Sequence, residues 1–348
     1  MTDLIQVAIL GASGYTGAEL LRWLQQHPHV QVKALTGDSQ AGKPFGDVYP
    51  HLQTSQWPDL VKIDEVDFTA IDLVFCCLPH GTTQNVIAGL PENVKIVDLS
   101  ADFRLHNLDA YAEWYGHAHE APALQQEAVY GLSEHARQAV STARLVANPG
   151  CYPTSILLPL LPLLGAELID PAAITVDSLS GVTGAGRSAK QAMLFTEVNE
   201  GVKAYGVGGH RHAAEIEEQL SHVVGNDVRI SFTPHLMPMQ RGILSTLHVD
   251  LAEGEPADSL HACLSERYAD EAFVHVLPLG AEAPSTHMVR GTNHAMMGVY
   301  TDRVPNRAII VSVIDNLVKG AAGQAVQNMN IMYGWPEDLS LKSGAVFP

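Results

Sequence analysis

Ile5-Gln6-Val7-Ala8-Ile9-Leu10 runs directly into Gly11-Ala12-Ser13-Gly14-Tyr15-Thr16-Gly17. The six-residue run is almost wholly apolar, which suits a strand of a parallel sheet covered on both faces. The glycines that follow permit a tight turn and a close approach of backbone to ligand. Ala18 to Gln26 then has the spacing of a helix, and Val30 to Leu35 reads as a second strand, so the segment forms a βαβ unit. A strand, a GxxGxxG loop and a helix in that order offer unpaired N–H groups and a positive dipole end to a pyrophosphate. The first glycine gap is one residue longer than in GxGxxG. In isolation such a loop is equally a tight glycine turn, and it is the strand–turn–helix context that favours dinucleotide binding.

Working outward, Leu73 to Leu78 and Lys95 to Leu99 continue a series of short apolar strands. This predicts a doubly wound parallel sheet over residues 1–150. Beyond Cys151 the texture changes. Ile174 to Leu179, Val228 to Thr233, Leu244 to Leu251 and Val274 to Leu277 read as strands of a mixed sheet, interleaved with helices such as Ala213 to Val223. A second, α+β domain over residues 151–314 is expected. Ile314 to Met332 shows apolar residues at helical spacing and is expected to pack back on the first domain.

A chain of 348 residues exceeds the usual single core, in keeping with two domains. Twenty basic against 38 acidic residues leave a formal charge of -18, which repels nucleic acid and anionic membranes and points to small-molecule partners. The cysteines Cys76, Cys77, Cys151 and Cys263 form no CxxC pair. Cys76 and Cys77 lie in an apolar run and read as packing residues. The amino terminus, opening with Asp3, has no basic flank or long apolar core. The longest apolar stretch, Ile156 to Gly165, is broken by Pro159 and Pro162, so a cytoplasmic location is expected.

Five further segments bear on chemistry. After the second strand comes Thr36-Gly37-Asp38-Ser39-Gln40-Ala41-Gly42-Lys43, where Ser39 and Lys43 suit a 2′-phosphate and Asp38 opposes one. Asn148-Pro149-Gly150-Cys151-Tyr152-Pro153-Thr154 forces a sharp turn and places Cys151 at a helix start, an environment that favours thiolate; the alternative is a small residue packed at a domain junction. Gly208-Gly209-His210-Arg211-His212-Ala213-Ala214-Glu215 puts His212 at another helix start, which favours the neutral form a general base needs. An H-x-H pair can instead join Cys151 or Glu215 on zinc, or serve structural hydrogen bonds. Ser100-Ala101-Asp102-Phe103-Arg104 follows a strand, and Arg104 there either clamps a phosphate or pairs with Asp102. A second glycine loop, Ser180 to Arg187, contains Gly184 and Gly186.

Taken in order, GASGYTGAEL, CLPHG, DLSADFRL, VYGLSE, NPGCYPT, SGVTGAGR, GHRHAAEI, PMQRGIL and GTNHAMMG resemble the N-acetyl-gamma-glutamyl-phosphate reductase family over nearly the whole chain. More distantly the chain is similar to aspartate-semialdehyde dehydrogenases and to the glyceraldehyde-phosphate dehydrogenase type of architecture. The resemblance implies a Rossmann domain completed by residues 315–348, an α+β catalytic and dimerisation domain, and a homodimer or homotetramer. It implies NADPH as hydride donor to an acyl phosphate, no resident metal, and an aldehyde product formed through a thioester. Carried over by position, Cys151 is the nucleophile; the resemblance leaves His210 and His212 both open as acid or base, and His212 is preferred because it adjoins the helix. Gly11, Ser13, Gly14, Tyr15, Thr16, Gly17, Thr36, Ser39, Gly184 and Gly186 are expected to bind the cofactor. Arg104, Asn148, His210 and Glu215 are expected at substrate or phosphate. Asp38-Ser39-Gln40 departs from the basic residue many relatives carry there. Rival readings are aspartate semialdehyde as substrate, a substrate held on an acidic carrier protein, which the charge of -18 disfavours, and a dinucleotide-sensing regulator that has no need of Cys151.

Overall fold

The computed structural model describes residues 4–53 and 56–346; Asp3 lies outside them. Two compact units are present: one runs to Pro149 and takes in Ala321–Lys342, the other is Gly150–Gly320 and resumes at Ser343.

The first unit is built on a parallel sheet of β1 (Ile5–Leu10), β2 (Val30–Thr36), β3 (Leu60–Val61), β4 (Leu73–Cys76), β5 (Lys95–Asp98), β6 (Val129–Tyr130) and β7 (Leu145–Ala147). The strand order β3-β2-β1-β4-β5-β7-β6 reverses direction between β1 and β4, which is where a doubly wound sheet binds ligands. Val7, Ala8, Ile9 and Leu10 are fully buried, as a strand covered on both faces requires. The helix Gly323–Met332 is also buried on every side, although it carries Gln324, Gln327, Asn328 and Asn330. Three of these amides are bonded to the rest of the unit. Asn328 Nδ2 donates to the Gly131 carbonyl (2.8 Å), Gln327 Nε2 to Glu134 (3.0 Å), and Asn330 Oδ1 lies 2.9 Å from His27 Nε2.

The second unit holds a mixed sheet of β8 (Ile169–Gly181), β9 (Lys203–Ala204), β10 (Ser231–Met237), β11 (Ile243–Leu251), β12 (Val274–Val276), β13 (Ala295–Thr301) and β14 (Arg307–Ile314), in the order β12-β13-β14-β11-β8-β10-β9. Along β11 burial alternates strictly, the signature of a sheet with one face on a core. That core includes the helix Cys151–Gly165, nearly all of whose side chains are buried.

Two expectations are revised. Pro159 and Pro162 do not interrupt the apolar stretch; both lie inside the helix Cys151–Gly165. Pro162 has no N–H for the Leu158 carbonyl, and the Tyr268 hydroxyl donates to that carbonyl in its place. Ile314 to Met332 is not one helix: Ile314 ends β14, residues Val318–Ala322 form a π-turn, and only then does the helix Gly323–Met332 begin. Residues 315–320 belong to the second unit because the Asp315 carboxylate accepts the Gly291 N–H (2.7 Å) and the Gly320 N–H reaches the Asp315 carbonyl (3.0 Å). The chain beyond Ser343 belongs there too, since the Val346 N–H donates to the Arg290 carbonyl (3.1 Å).

Candidate active site

In the first unit the glycine loop is shaped by the absence of side chains. Gly11 has φ +79°, and a Cβ there would lie 2.6 Å from the Cys77 carbonyl oxygen, so the loops after β1 and β4 touch backbone to backbone. A Cβ on Gly17 would lie 2.5 Å from Ala12 Cα, which fixes how tightly the helix Tyr15–Leu24 packs on its own loop. Gly14 is the N-cap and supplies no side chain, leaving the first-turn N–H groups of Tyr15, Thr16 and Gly17 facing outward from the helix axis. A dinucleotide pyrophosphate fits this cradle, because the donors are backbone and the crowding is relieved by glycine.

Thr36 and Ser13 work within the loop. Thr36 Oγ1 accepts the Gly11 N–H (3.0 Å) and the Thr36 carbonyl accepts the Ala12 N–H (2.8 Å), while the Ser13 carbonyl accepts from Tyr49 Oη (3.0 Å). Thr36 is buried, so it holds the loop from behind. Ser39 and Lys43 are exposed and joined through Gln40: Lys43 Nζ donates to Gln40 Oε1 (3.0 Å) and Gln40 Nε2 to Ser39 Oγ (3.4 Å). The Asp38 side chain is exposed at the head of the same short turn.

Arg104 and Asn148 are occupied inside the first unit. Arg104 Nε donates to the Asn148 carbonyl (2.9 Å) and its Nη2 to the Leu99 carbonyl (3.0 Å), which takes up the edge a side-on bidentate grip on phosphate uses. Asn148 is fully buried; its Nδ2 donates to the Ala321 carbonyl (3.2 Å) and its Oδ1 accepts from Asn328 (3.1 Å). Both residues therefore tie the ends of β5 and β7 together. Asp102 is held by the N–H groups of Gly81 (2.8 Å) and Thr83 (3.1 Å) and by the Tyr111 hydroxyl (3.1 Å). Beside it, burial pushes the Asp98 carboxyl up to about 7, against two bonds from Ser100.

The second unit brings the cysteine and histidine motifs together. Cys151 opens the helix Cys151–Gly165, capped by Gly150 in extended conformation. Glu215 Oε1 accepts the Gly150 N–H at 2.8 Å, so the first helix turn after His212 is tied to the residue before the cysteine. The Tyr152 ring stands edge-on to both His210 (5.6 Å between centroids) and His212 (5.7 Å), and the two imidazoles are 4.9 Å apart. Tyr152 and Tyr205 share a hydroxyl–hydroxyl hydrogen bond of 2.8 Å. Burial pushes the Tyr205 hydroxyl up to about 12 and Tyr152 higher still, so both stay protonated and act as hydrogen-bonding groups rather than bases.

The two histidines differ. Burial, aided by the charge of Arg211, pushes His210 down to about 4. Its Nδ1 accepts the His212 N–H at 3.2 Å, which puts the proton of the neutral ring on Nε2. His210 is thus a neutral ring whose Nδ1 accepts at the start of the next helix. Among the described residues no group of three or more His, Cys, Asp or Glu side chains is arranged to hold a metal ion. Gly184 and Gly186 lie in and after the short turn Val182–Ala185 of this second unit, Gly186 with φ +80°. Tyr205 and Phe232, both in ring contact around His210, had no mark in the sequence.

A parallel switch-point sheet with a glycine cradle, followed by a mixed sheet whose first helix opens with a cysteine, defines a semialdehyde dehydrogenase-type two-domain protein. The semialdehyde dehydrogenase NAD binding domain model matches residues 6–143 and the semialdehyde dehydrogenase dimerisation domain model residues 151–316. Aspartate semialdehyde dehydrogenase II of Vibrio cholerae shares the fold, with a TM-score of 0.71 at 16% identity, over 95% of this chain and 99% of that one. Much nearer in sequence is the N-acetyl-gamma-glutamyl-phosphate reductase of Rhodospirillum rubrum, 57% identical over 353 residues and covered end to end. A probable chloroplastic N-acetyl-gamma-glutamyl-phosphate reductase of Oryza sativa subsp. japonica is 56% identical over 99% of this chain and 83% of its own length. The chain belongs to the N-acetyl-gamma-glutamyl-phosphate reductase family.

Proposed function

We propose that the protein reduces N-acetyl-glutamyl 5-phosphate to N-acetyl-glutamate 5-semialdehyde, a step of arginine biosynthesis, through a thioester on Cys151. The observation that carries this reading is that the residues on either side of Cys151 meet the histidine motif, Gly150 through Glu215 and Tyr152 through His210 and His212. The loop from Gly11 to Gly17 would hold NADPH, with Ser39 and Lys43 available to its 2′-phosphate, and the bound cofactor would supply the hydride.

Cys151 Sγ loses its proton to His212 and attacks the acyl carbon. The helix-start N–H groups stabilise the oxyanion, and its collapse expels inorganic phosphate and leaves the thioester. After reduction of the carbonyl carbon, the alkoxide collapses and the C–S bond breaks, releasing aldehyde, while protonated His212 returns its proton to the departing Cys151 sulfur. Atoms and charge balance without a metal. Gly184 and Gly186 remain proposed for the cofactor, and Glu215 for orienting the helix start. Arg104 and Asn148 serve the reaction by bracing the strand that leads to Cys151.

Two further attributes go with the reading. A homodimer or homotetramer is supported by the dimerisation-domain model over residues 151–316. A cytoplasmic setting is supported by four free thiols, as reducing compartments favour; no helix among the described residues is long and apolar enough to cross a membrane.

The test is phosphate-dependent reduction of NADP with N-acetylglutamate semialdehyde, beside aspartate semialdehyde and beside Cys151→Ala. The expected result is turnover of the N-acetylated aldehyde alone, falling on the order of 10⁴-fold or more in Cys151→Ala with cofactor binding retained. Full activity without Cys151 would sink the thioester route, and a protein that binds NADP but turns over neither aldehyde is a sensor.

A further inference from the structure

A glycine stands where the backbone does not ask for one. Gly320 lies inside the π-turn Val318–Ala322, and its φ is outside the left-handed region. Helix propensity alone would favour alanine there. What excludes a side chain is Cys151: a Cβ on Gly320 would lie 2.8 Å from Cys151 Cβ and 3.1 Å from its Cα. Real Cβ atoms do not approach so closely, so the π-turn is seated directly on the cysteine.

The turn is itself braced. Asp315 is fully buried; its carboxylate accepts the N–H groups of Gly291 (2.7 Å) and Leu317 (2.9 Å), and Arg241 lies 3.6 Å away. Asn316 Oδ1 accepts the Gly242 N–H (2.9 Å), and its Nδ2 donates to Thr183 Oγ1 (3.0 Å). Three loops distant in sequence, around residues 183, 241 and 291, therefore converge on the six residues that end against Cys151. π-Insertions recur at functional sites because they re-aim the backbone locally.

We infer that the 315–320 turn is the positioning wall for the Cys151 thiol, and that Gly320 sets its distance. The inference rests on Cys151 being the nucleophile. Gly320 and Asn316 are positioning residues; neither reacts.

Gly320→Ala tests it, with Thr183→Val as a milder loosening of the same brace and Thr183→Ser as its rescue. Three readouts are taken on the full-length protein: kcat and KM, NADP affinity, and the rate of iodoacetamide labelling of Cys151 by peptide mass spectrometry across a pH series. Gly320→Ala is expected to lower kcat roughly 10- to 100-fold with KM and NADP affinity little changed, and to shift the labelling profile of Cys151. Thr183→Val should move the same readouts less, and Thr183→Ser should restore them. Wild-type kcat and labelling in a folded Gly320→Ala overturn the inference. If that variant does not fold, the Thr183 pair decides: equal kcat and equal labelling in Val and Ser overturn it. Full activity in Cys151→Ala would remove the catalytic reading instead, while the labelling arm still reports whether the turn places the thiol.

Discussion

Two helices in this molecule begin alike and are put to different uses. Tyr15–Leu24 and Cys151–Gly165 each start at an extended glycine, with no side-chain cap and no acidic residue in the first turn. At the first, Gly11 and Gly17 let the loop close against Cys77 and Ala12, and no side chain of the protein caps the positive end. Before the second, the protein's own Glu215 carboxylate takes the Gly150 N–H, and a thiol stands in the first turn. The same backbone field serves binding where it is laid bare and reactivity where it is partly answered from within.

The comparison can be broken most forcefully at the first helix. Gly17→Ala places a Cβ 2.5 Å from Ala12 Cα, backbone against backbone. The expected result is loss of measurable NADPH binding by fluorescence titration and a stability loss of about 1–3 kcal/mol in urea, with Cys151 still labelled by iodoacetamide. Unchanged NADPH affinity would mean that the cradle is not the binding element. A smaller effect is expected at the second helix. Glu215→Gln keeps an acceptor for the Gly150 N–H but removes the negative charge, so labelling of Cys151 should persist to lower pH, by up to about one unit, while kcat falls roughly tenfold as the charge-assisted tie between the two helix starts weakens to a neutral hydrogen bond. Labelling that moves to higher pH would show that Glu215 acts on the thiol through another group.

The last effect is confined to acid and is absent at neutral pH. His210 and His294 are each pushed down to about 4 by burial, with further lowering from Arg211 for the first and from His275 and Lys319 for the second. Both have folded values below the unfolded one near 6.5. The unfolded chain therefore binds more protons between about pH 6.5 and 4, and stability is full above that window and lost as pH falls through it. The slope is at most about 1.4 kcal/mol per pH unit for each histidine, and solvent screening of these partly exposed rings makes it smaller. Urea unfolding at a series of pH values measures it, and His294→Gln should flatten the second unit's share; a flat profile would refute the assignment.

Much of the first unit could be read from residues alone. Ile5–Leu10, the glycine loop and Val30–Thr36 are local signals whose meaning does not depend on distant partners. Cys151 and His212 could be picked out as candidates because helix starts announce themselves through Pro149-Gly150 and Gly208-Gly209. What escaped was decided at a distance. Pro159 and Pro162 read as breaks because the Tyr268 hydroxyl that answers Leu158 is 110 residues away. The split of Ile314 to Met332 into strand end, π-turn and helix was hidden because apolar spacing is compatible with one continuous helix, whereas the turn exists to meet Asp315 and Cys151. Arg104 read as either a phosphate clamp or a partner of Asp102, and its bonds to the Asn148 and Leu99 carbonyls, which sequence spacing does not announce, are formed only by the fold.

The helix Gly323–Met332 has a consequence for how the protein is made. Its amides fill acceptors and donors around Gly131, Glu134 and Asn148, so the amino-terminal half emerges from the ribosome with a hole where that helix belongs. All of residues 150–320 must be synthesised before the plug arrives, roughly ten to thirty seconds at ordinary translation rates. During that interval the nascent half exposes unsatisfied buried groups and an open hydrophobic seam, an invitation to chaperones and proteases alike. A message truncated just short of its end would yield a chain with every residue assigned here to chemistry and no finished nucleotide-binding half in which to use them.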